Sequence, residues 1–300
     1  MKGLKEIIRN PSGQSFRLIR WDRNLREVES VSGEGEIEPV GGEGTDWHYH
    51  KEMELTWFAR GRGTRFVGDG IGSFEAGELV LLGGNLPHCW HVAGESAGIS
   101  VQWDFPRWHP VWTLPESVAM ERVFRDAERG VRLRGRRALV AGDLMGKMAA
   151  MSGMERLGGL FSLLGHLAGT GWGSGDLIST KAFSPEGRLA HRTAMEKALG
   201  HIISNFRDEI RLEHLLEITA MSRPTFSRQF KLHTGRSFSG FLLRLRLENA
   251  CRELLETGES VTGIAYGSGF GQVSFFNRSF RKAMGCNPSE FRSRRITSRA

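Results

Sequence analysis

The sequence predicts two domains, an all-β first half with appended helices and an all-α second half. Three observations carry this. A chain of 300 residues exceeds one compact core and suits two domains of about 100–200 residues each. Charge is split: residues 181–300 hold 20 of the 41 Lys and Arg but only 11 of the 34 Asp and Glu, while residues 1–180 hold 21 and 23. All eight tryptophans precede residue 181, so the two halves build different cores.

The β reading starts at Gly33 and runs to Gly98. Glu54–Phe58, Thr64–Val67 and Leu79–Leu82 are short apolar runs separated by Gly61-Arg62-Gly63, Gly68-Asp69-Gly70 and Gly83-Gly84-Asn85. Strands punctuated by turn glycines at about ten-residue spacing describe a sandwich or barrel. After Pro115 the alternation stops. Val118 to Arg129 and Ala141 to Leu167 repeat Leu144, Met148, Met151, Met154 and then Leu160, Leu163, Leu164 and Leu167 at helical steps. The stripe is longer than a barrel edge covers, which predicts an apolar patch and a homodimer through it.

Within the β region, Gly42, His48, His50, Glu54 and Gly61 form one cluster, and Gly77 to His88 a second segment. His48, His50 and Glu54 share parity, so one strand would point all three to one face, with His88 brought beside them by a partner strand. Three imidazoles and a carboxylate are a donor set for a divalent transition metal such as Zn, Ni, Cu or Fe; they serve equally as polar pocket residues. Trp90 and Trp103 are expected as walls of the same interior.

These paired segments resemble the two motifs of the cupin superfamily of double-sheet jelly-roll barrels. The first fits at every marked position. The second departs at Gly83, where proline is usual, and at Asn85, where glycine is usual. The resemblance implies that residues 1–180 form a ligand-sensing domain.

From Arg192 the pattern is helical, with Ala194, Ala198, Ile202 and Phe206 as one stripe and Leu212, Leu215, Leu216 and Thr219 as the next. Met221-Ser222-Arg223-Pro224 reads as a turn with Ser222 as N-cap and proline in the first turn of a helix ending at Gly235. Fifty residues later the design repeats: Phe226-Ser227-Arg228-Gln229-Phe230-Lys231 and Gly235 become Phe276-Asn277-Arg278-Ser279-Phe280-Arg281 and Gly285. Each copy is a helix-turn-helix. Phe226/Phe230 and Phe276/Phe280 turn inward, leaving Arg223, Thr225, Ser227, Arg228 and Lys231 outward in the first. Gln272, Val273, Ser274, Asn277, Arg278 and Arg281 are outward in the second. These residue types read base edges and phosphates. Together with the basic balance of the half, they predict double-stranded DNA as partner. Phe238 to Glu256 reads as a linking helix of about 28 Å at 1.5 Å per residue, comparable with the ~34 Å of one duplex turn.

Residues 193–296 resemble the DNA-binding domain of AraC/XylS-family transcription regulators. The likeness rests on Gly269-Phe270, Ser274 to Phe280, Gly285-Cys286-Asn287-Pro288, Phe291-Arg292 and the Arg246, Ala250, Leu254-Leu255 run. Departures are Leu216, where alanine is usual, and Pro224, which offers no hydrogen bond to a base. The resemblance implies a regulator with residues 181–192 as linker, a small-molecule effector of which sugars are one class, and RNA polymerase as a further partner. A second reading is a metal-dependent cupin oxygenase or isomerase fused to a DNA-binding domain. No Ser-His-Asp set, P-loop or paired-acid signature adds to it, and no enzymatic activity is expected. No apolar run approaches the roughly 18 residues of a membrane span, the start Met1 to Glu6 lacks a secretory apolar core, and Cys89, Cys251 and Cys286 suggest neither disulfide framework nor structural zinc. A cytoplasmic protein follows as the expectation.

Overall fold

A computed structural model describes residues 5–32, 37–41, 44–183 and 191–297. Two compact units emerge, Met1–Gly70 with Phe74–Leu189, and Ile71–Ser73 with Ala190–Ala300. Most of the expected linker, residues 184–190, and Gly42 of the first motif lie outside the described residues. No described helix is long and apolar enough to cross a membrane.

Apart from Ile71–Ser73 of β6, the first unit is built from β1 (Phe16–Arg23), β2 (Glu27–Val31), β3 (Ile37–Gly41), β4 (Met53–Arg60), β5 (Arg62–Val67), β6 (Gly70–Glu75), β7 (Leu79–Leu82), β8 (His88–Val92), β9 (Ser96–Trp103) and β10 (Val131–Leu133). Seven form one sheet in the order β10-β7-β4-β9-β1-β2-β3 and three a second, β6-β5-β8. The β region thus begins well before Gly33, and β1 lies inside the larger sheet beside β9. Its run Phe16-Arg17-Leu18-Ile19-Arg20-Trp21 places charged residues among apolar ones, which hid its alternation.

Strand alternation divides this sheet into two faces. Leu18, Leu55, Leu81, Val101 and Trp103 point to one side, against α1 (Val118–Ala127), α2 (Arg136–Met148) and α3 (Gly153–Gly169). Trp21, Phe58, Val80 and Leu82 point to the other, against Val67, Phe74 and Trp90. The larger sheet is therefore the middle layer between helices and the three-stranded sheet.

Within the stretch from Ala141 to Leu167, α2 ends at Met148 and α3 starts after Ser152, so the chain reverses and the two helices pack as a hairpin. The exposure expected of its apolar stripe is corrected here. The Leu and Met stripe is consumed by that packing. Met145, Met148, Leu160, Leu163 and Leu167 are 0 % exposed, each burial stabilising the unit by about 1.5–3 kcal/mol, and Leu144 is partly buried against the same core. The patch that argued for a dimer is covered by the chain's own sheet. Met154, placed in the stripe from its spacing, is 80 % exposed. Arg156 fixes the hairpin: its buried guanidinium donates to the carbonyls of Met148, Ala149 and Met151 at the end of α2 and to Val31 of β2, supplying donors where the helix's own N–H groups run out.

The second unit contains α4 (Arg192–Asn205), α5 (Leu212–Thr219), α6 (Arg223–Thr234), α7 (Phe238–Glu256), α8 (Val261–Gly267), α9 (Val273–Met284) and α10 (Pro288–Thr297). Ser222 caps α6 by accepting from the Thr225 N–H, with Pro224 in the first turn, where its missing N–H is harmless. Gly235 and Gly285 close α6 and α9 at φ +73° and +71°, the left-handed conformation that glycine adopts without steric cost. Phe226 with Phe230 and Phe276 with Phe280 each stand 5.4 Å apart, ring to ring, and all four are at most 1 % exposed. Arg246 on α7 donates to the carbonyls of Phe206 and Asp208, both at 2.7 Å, tying the linking helix to the end of α4.

Candidate functional site

In the first unit, the histidines converge by a route other than shared strand parity. His48 and His50 precede β4 rather than lying on it; only Glu54 is a strand residue. His48 pairs with His88 through two backbone hydrogen bonds, of 3.1 and 2.8 Å, and Asn85 N–H donates to the His50 carbonyl at 2.6 Å. The turn that makes this approach explains both departures in the second motif. Asn85 has φ +65°, a conformation asparagine tolerates better than most side chains. At Gly83 a Cβ would stand 2.8 Å from the Ala127 backbone.

Each imidazole is oriented by its Nδ1, which donates to a backbone carbonyl: His48 to Asp46 at 2.8 Å, His50 to Glu52 at 3.0 Å, His88 to Leu86 at 2.8 Å. That assignment leaves the three Nε2 atoms for whatever occupies the centre. The rings offer ligand atoms within 4.8 Å of one another. His50 Nε2 lies 3.1 Å from Glu54 Oε2. His88 Nε2 stands 3.8 Å from the same oxygen and is buried without a hydrogen bond.

Cross-strand register supplies the rest of the site. Glu54 on β4 faces Gln102 on β9, and Gln102 faces Arg17 on β1. Gln102 Nε2 donates to Glu54 Oε2 at 2.7 Å, Arg17 Nε to Gln102 Oε1 at 2.7 Å, and Arg17 pairs with Glu6 at 3.0 Å. Thr56 donates to Glu54 Oε1 and is hydrogen-bonded to Ser100. Glu6 Oε2 returns to within 3.6 Å of His48 Nε2. None of Glu6, Arg17, Thr56, Ser100 and Gln102 stood out in the sequence reading. The polar residues Ser100 and Gln102, of one parity on either side of Val101 in β9, are the available signal for them.

Burial, with His88 and His50 alongside, pushes His48 well below the usual imidazole range. Burial also works to lower His50, but the hydrogen bond and charge of Glu54, with Glu6 and Glu52, prevail and raise it. For Glu54, burial works upward and is overcome by His50 and His88, which hold the carboxyl well below its ordinary value.

The cavity beside Glu54 and His48 is about 30 Å³, enough for a water or an ion and far below the roughly 300–1,000 Å³ of pockets for larger organic ligands. Trp90 lines this cavity, but Trp103 does not. Trp103 follows Gln102 on β9, so it points to the opposite face and packs against Phe124 of α1.

In the second unit, the outward residues of the two repeats are in solvent. Arg223, Ser227, Arg228 and Lys231 on α6 are exposed, as are Gln272 at the N-cap of α9 and Ser274, Asn277, Arg278 and Arg281 along it. Thr225 is half-buried beside the Ser222 hydroxyl, 3.0 Å away. Val273 is half-buried too and packs on the apolar cluster around Phe276, so it is a support of the helix more than an open contact. Arg223 is engaged with Glu213 at 2.9 Å.

Against known proteins, the profile described as "Helix-turn-helix domain" matches residues 215–294, spanning both repeats. The second unit is thus similar to helix-turn-helix domains of transcription regulators. The HTH-type transcriptional activator RhaS of Pectobacterium atrosepticum is 34 % identical over 110 residues, 37 % of this chain and 39 % of that protein. The regulatory protein PocR of Salmonella typhimurium is 32 % identical over 106 residues, 35 % of each chain. The chain thus spans about two fifths or less of these relatives' length. A solved structure described as a probable AraC family transcriptional regulator, from Rhodopseudomonas palustris, is 30 % identical and covers 34 % of this chain and 97 % of its own, with a TM-score of 0.32. These relatives are named as regulators, not enzymes.

Proposed function

We propose that this AraC/XylS-type chain is a sequence-specific transcription regulator whose first unit, a cupin-like double-sheet jelly roll, senses a small ligand and sets the DNA-binding state of the second. The observation that carries the DNA reading is the repeat itself. Two helices fifty residues apart bury the same phenylalanine pair and hold Arg228 and Arg278, Lys231 and Arg281, in solvent. A merely solubilising surface has no reason to keep that register twice. The test is titration of the full chain into duplex DNA at several salt concentrations. Each phosphate neutralised contributes about −0.9 to the slope of log K against log salt, so a steep slope is expected and a flat one refutes the reading.

The histidine cluster fits a divalent transition metal. Three oriented Nε2 atoms, one of them buried without a hydrogen bond, and the Glu54 carboxylate are the donors such an ion takes. A bound ion would supply a fixed positive charge that satisfies those donors. His48, His50, His88 and Glu54 would hold it; Gln102 and Thr56 orient the Glu54 carboxylate. The complete reading includes a homodimer and contact with RNA polymerase. With the Leu and Met stripe buried, the apolar side chains left for a dimer on α2 and α3 are Leu139, Val140, Met154 and Phe161, and sedimentation of the full chain tests that arm.

A further inference from the structure

A second cavity of about 340 Å³ lies in the first unit on the helix side of the larger sheet, away from the Trp90 face that holds the histidine cavity. Its volume falls within the roughly 300–1,000 Å³ of pockets for small organic ligands. We infer that this groove binds an organic monoanion with a flat apolar body, such as an aromatic carboxylate.

The apolar half of the argument is a corner of two rings. Trp112 and Phe124 meet edge to face, centroids 5.0 Å apart and planes at 81°. Both line the groove and are only half-buried. Trp112 is locked by its indole N–H, which donates to the Phe105 carbonyl at 3.1 Å. Half-exposed, rigid aromatic faces meeting at a corner favour a flat ring stacked on one and edge-on to the other.

The charge half follows from counting partners. Lys51 and Asp104 both line the groove but neutralise each other at 2.6 Å. Arg107 makes no ion pair among the described residues; its guanidinium stands over the Trp112 ring at 5.6 Å. Arg125 has a 3.5 Å contact to Asp126, a carboxylate also engaged by Arg122 and by the Trp172 indole N–H. Set against Glu128, the remaining acid of the groove, these two arginines leave a surplus of one positive charge. One carboxylate balances it, and guanidinium groups bind that planar anion through paired hydrogen bonds.

The groove also touches the segment that carries the histidines. Asn85, on its wall, donates to the His50 carbonyl, and Lys51 directly follows His50. Resting on the regulatory reading above, an anion held here is the effector, and the small histidine cavity is relieved of the need to hold an organic molecule.

The probes are naphthalene-2-carboxylate and its uncharged carboxamide, titrated into the full chain without DNA and followed by tryptophan fluorescence and calorimetry. The acid is expected to bind saturably with one site per chain, about ten-fold more tightly than the amide. Arg107→Gln and Arg125→Gln, both at exposed positions that leave the fold intact by thermal melting, are each expected to weaken the acid several-fold and the amide little. Equal binding of acid and amide, full-strength acid binding by both variants, or no saturation at millimolar acid overturns the proposal. DNA titrations with and without the acid then separate the two claims. A groove that binds the acid in the arginine-dependent way while DNA affinity stays fixed leaves the site standing and removes the effector role.

Discussion

Arg278→Ala is the substitution that most sharply separates reading of bases from attraction to phosphates. Arg278 sits mid-helix on α9, exposed and without an ion pair among the described residues, between Phe276 and Phe280, which are both 0 % exposed and hold the helix in place. Removing it should change folding stability by no more than about 0.5 kcal/mol, the usual range for a surface side chain with no structural partner. A bidentate guanine contact is worth about 1–3 kcal/mol of discrimination, or roughly 5- to 150-fold in affinity at one base step. The assay takes duplexes enriched from a random pool by the wild-type chain and compares them with shuffled sequences by fluorescence anisotropy at three salt concentrations. The ratio of the two affinities should collapse toward one, with the salt slope unchanged. If instead both duplexes lose affinity by one factor and the slope becomes shallower by about 0.9, Arg278 is a phosphate contact and the base-reading argument fails. Arg228 on α6 is the matched test for the first repeat.

Arg223→Ala should cost less than Arg228→Ala on the same duplexes, because Glu213 at 2.9 Å already takes up part of its charge; the reverse order in anisotropy titrations would contradict this. Phe276→Ala should lower stability by about 3–5 kcal/mol, read as a fall in thermal midpoint with loss of DNA binding, since it empties the centre of the second repeat. Gly285→Ala should destabilise by about 1 kcal/mol through the left-handed cap, visible in denaturant unfolding as a lower midpoint with an unchanged slope. His48→Ala and His88→Ala should each weaken zinc binding by the full chain more than about a hundred-fold in equilibrium dialysis, beyond what loss of an outer partner costs. Wild-type affinity in both variants would remove the cluster as a metal site.

The second unit was largely legible in the sequence because helix signals are local. An N-cap serine, a first-turn proline, a closing glycine and phenylalanines four apart act within a few turns of backbone, so α6 and α9 and their outward faces could be placed from residues alone, and the fifty-residue repeat doubled the signal. Thr225 and Val273, expected outward, are half-buried, because how far a residue in the first turn of a helix faces solvent depends on what packs beside that end. In the first unit, His48, His50, Glu54 and His88 were picked out by residue type, but their convergence depends on a bridge between His48 and His88 and a turn at Asn85 that no local period specifies. The same limit produced the error at Trp103. A strand's period fixes that Gln102 and Trp103 face opposite ways, yet only the assembled layers decide which face looks into the polar cavity and which lies under the helices. The Leu and Met stripe failed for that reason as well: its spacing announced an apolar helix face, while the α2–α3 hairpin and the sheet beneath it decided that the face would be buried within the chain. What the sequence determined was each element's local conformation and polarity; which surfaces met was decided by tertiary contacts between residues tens of positions apart.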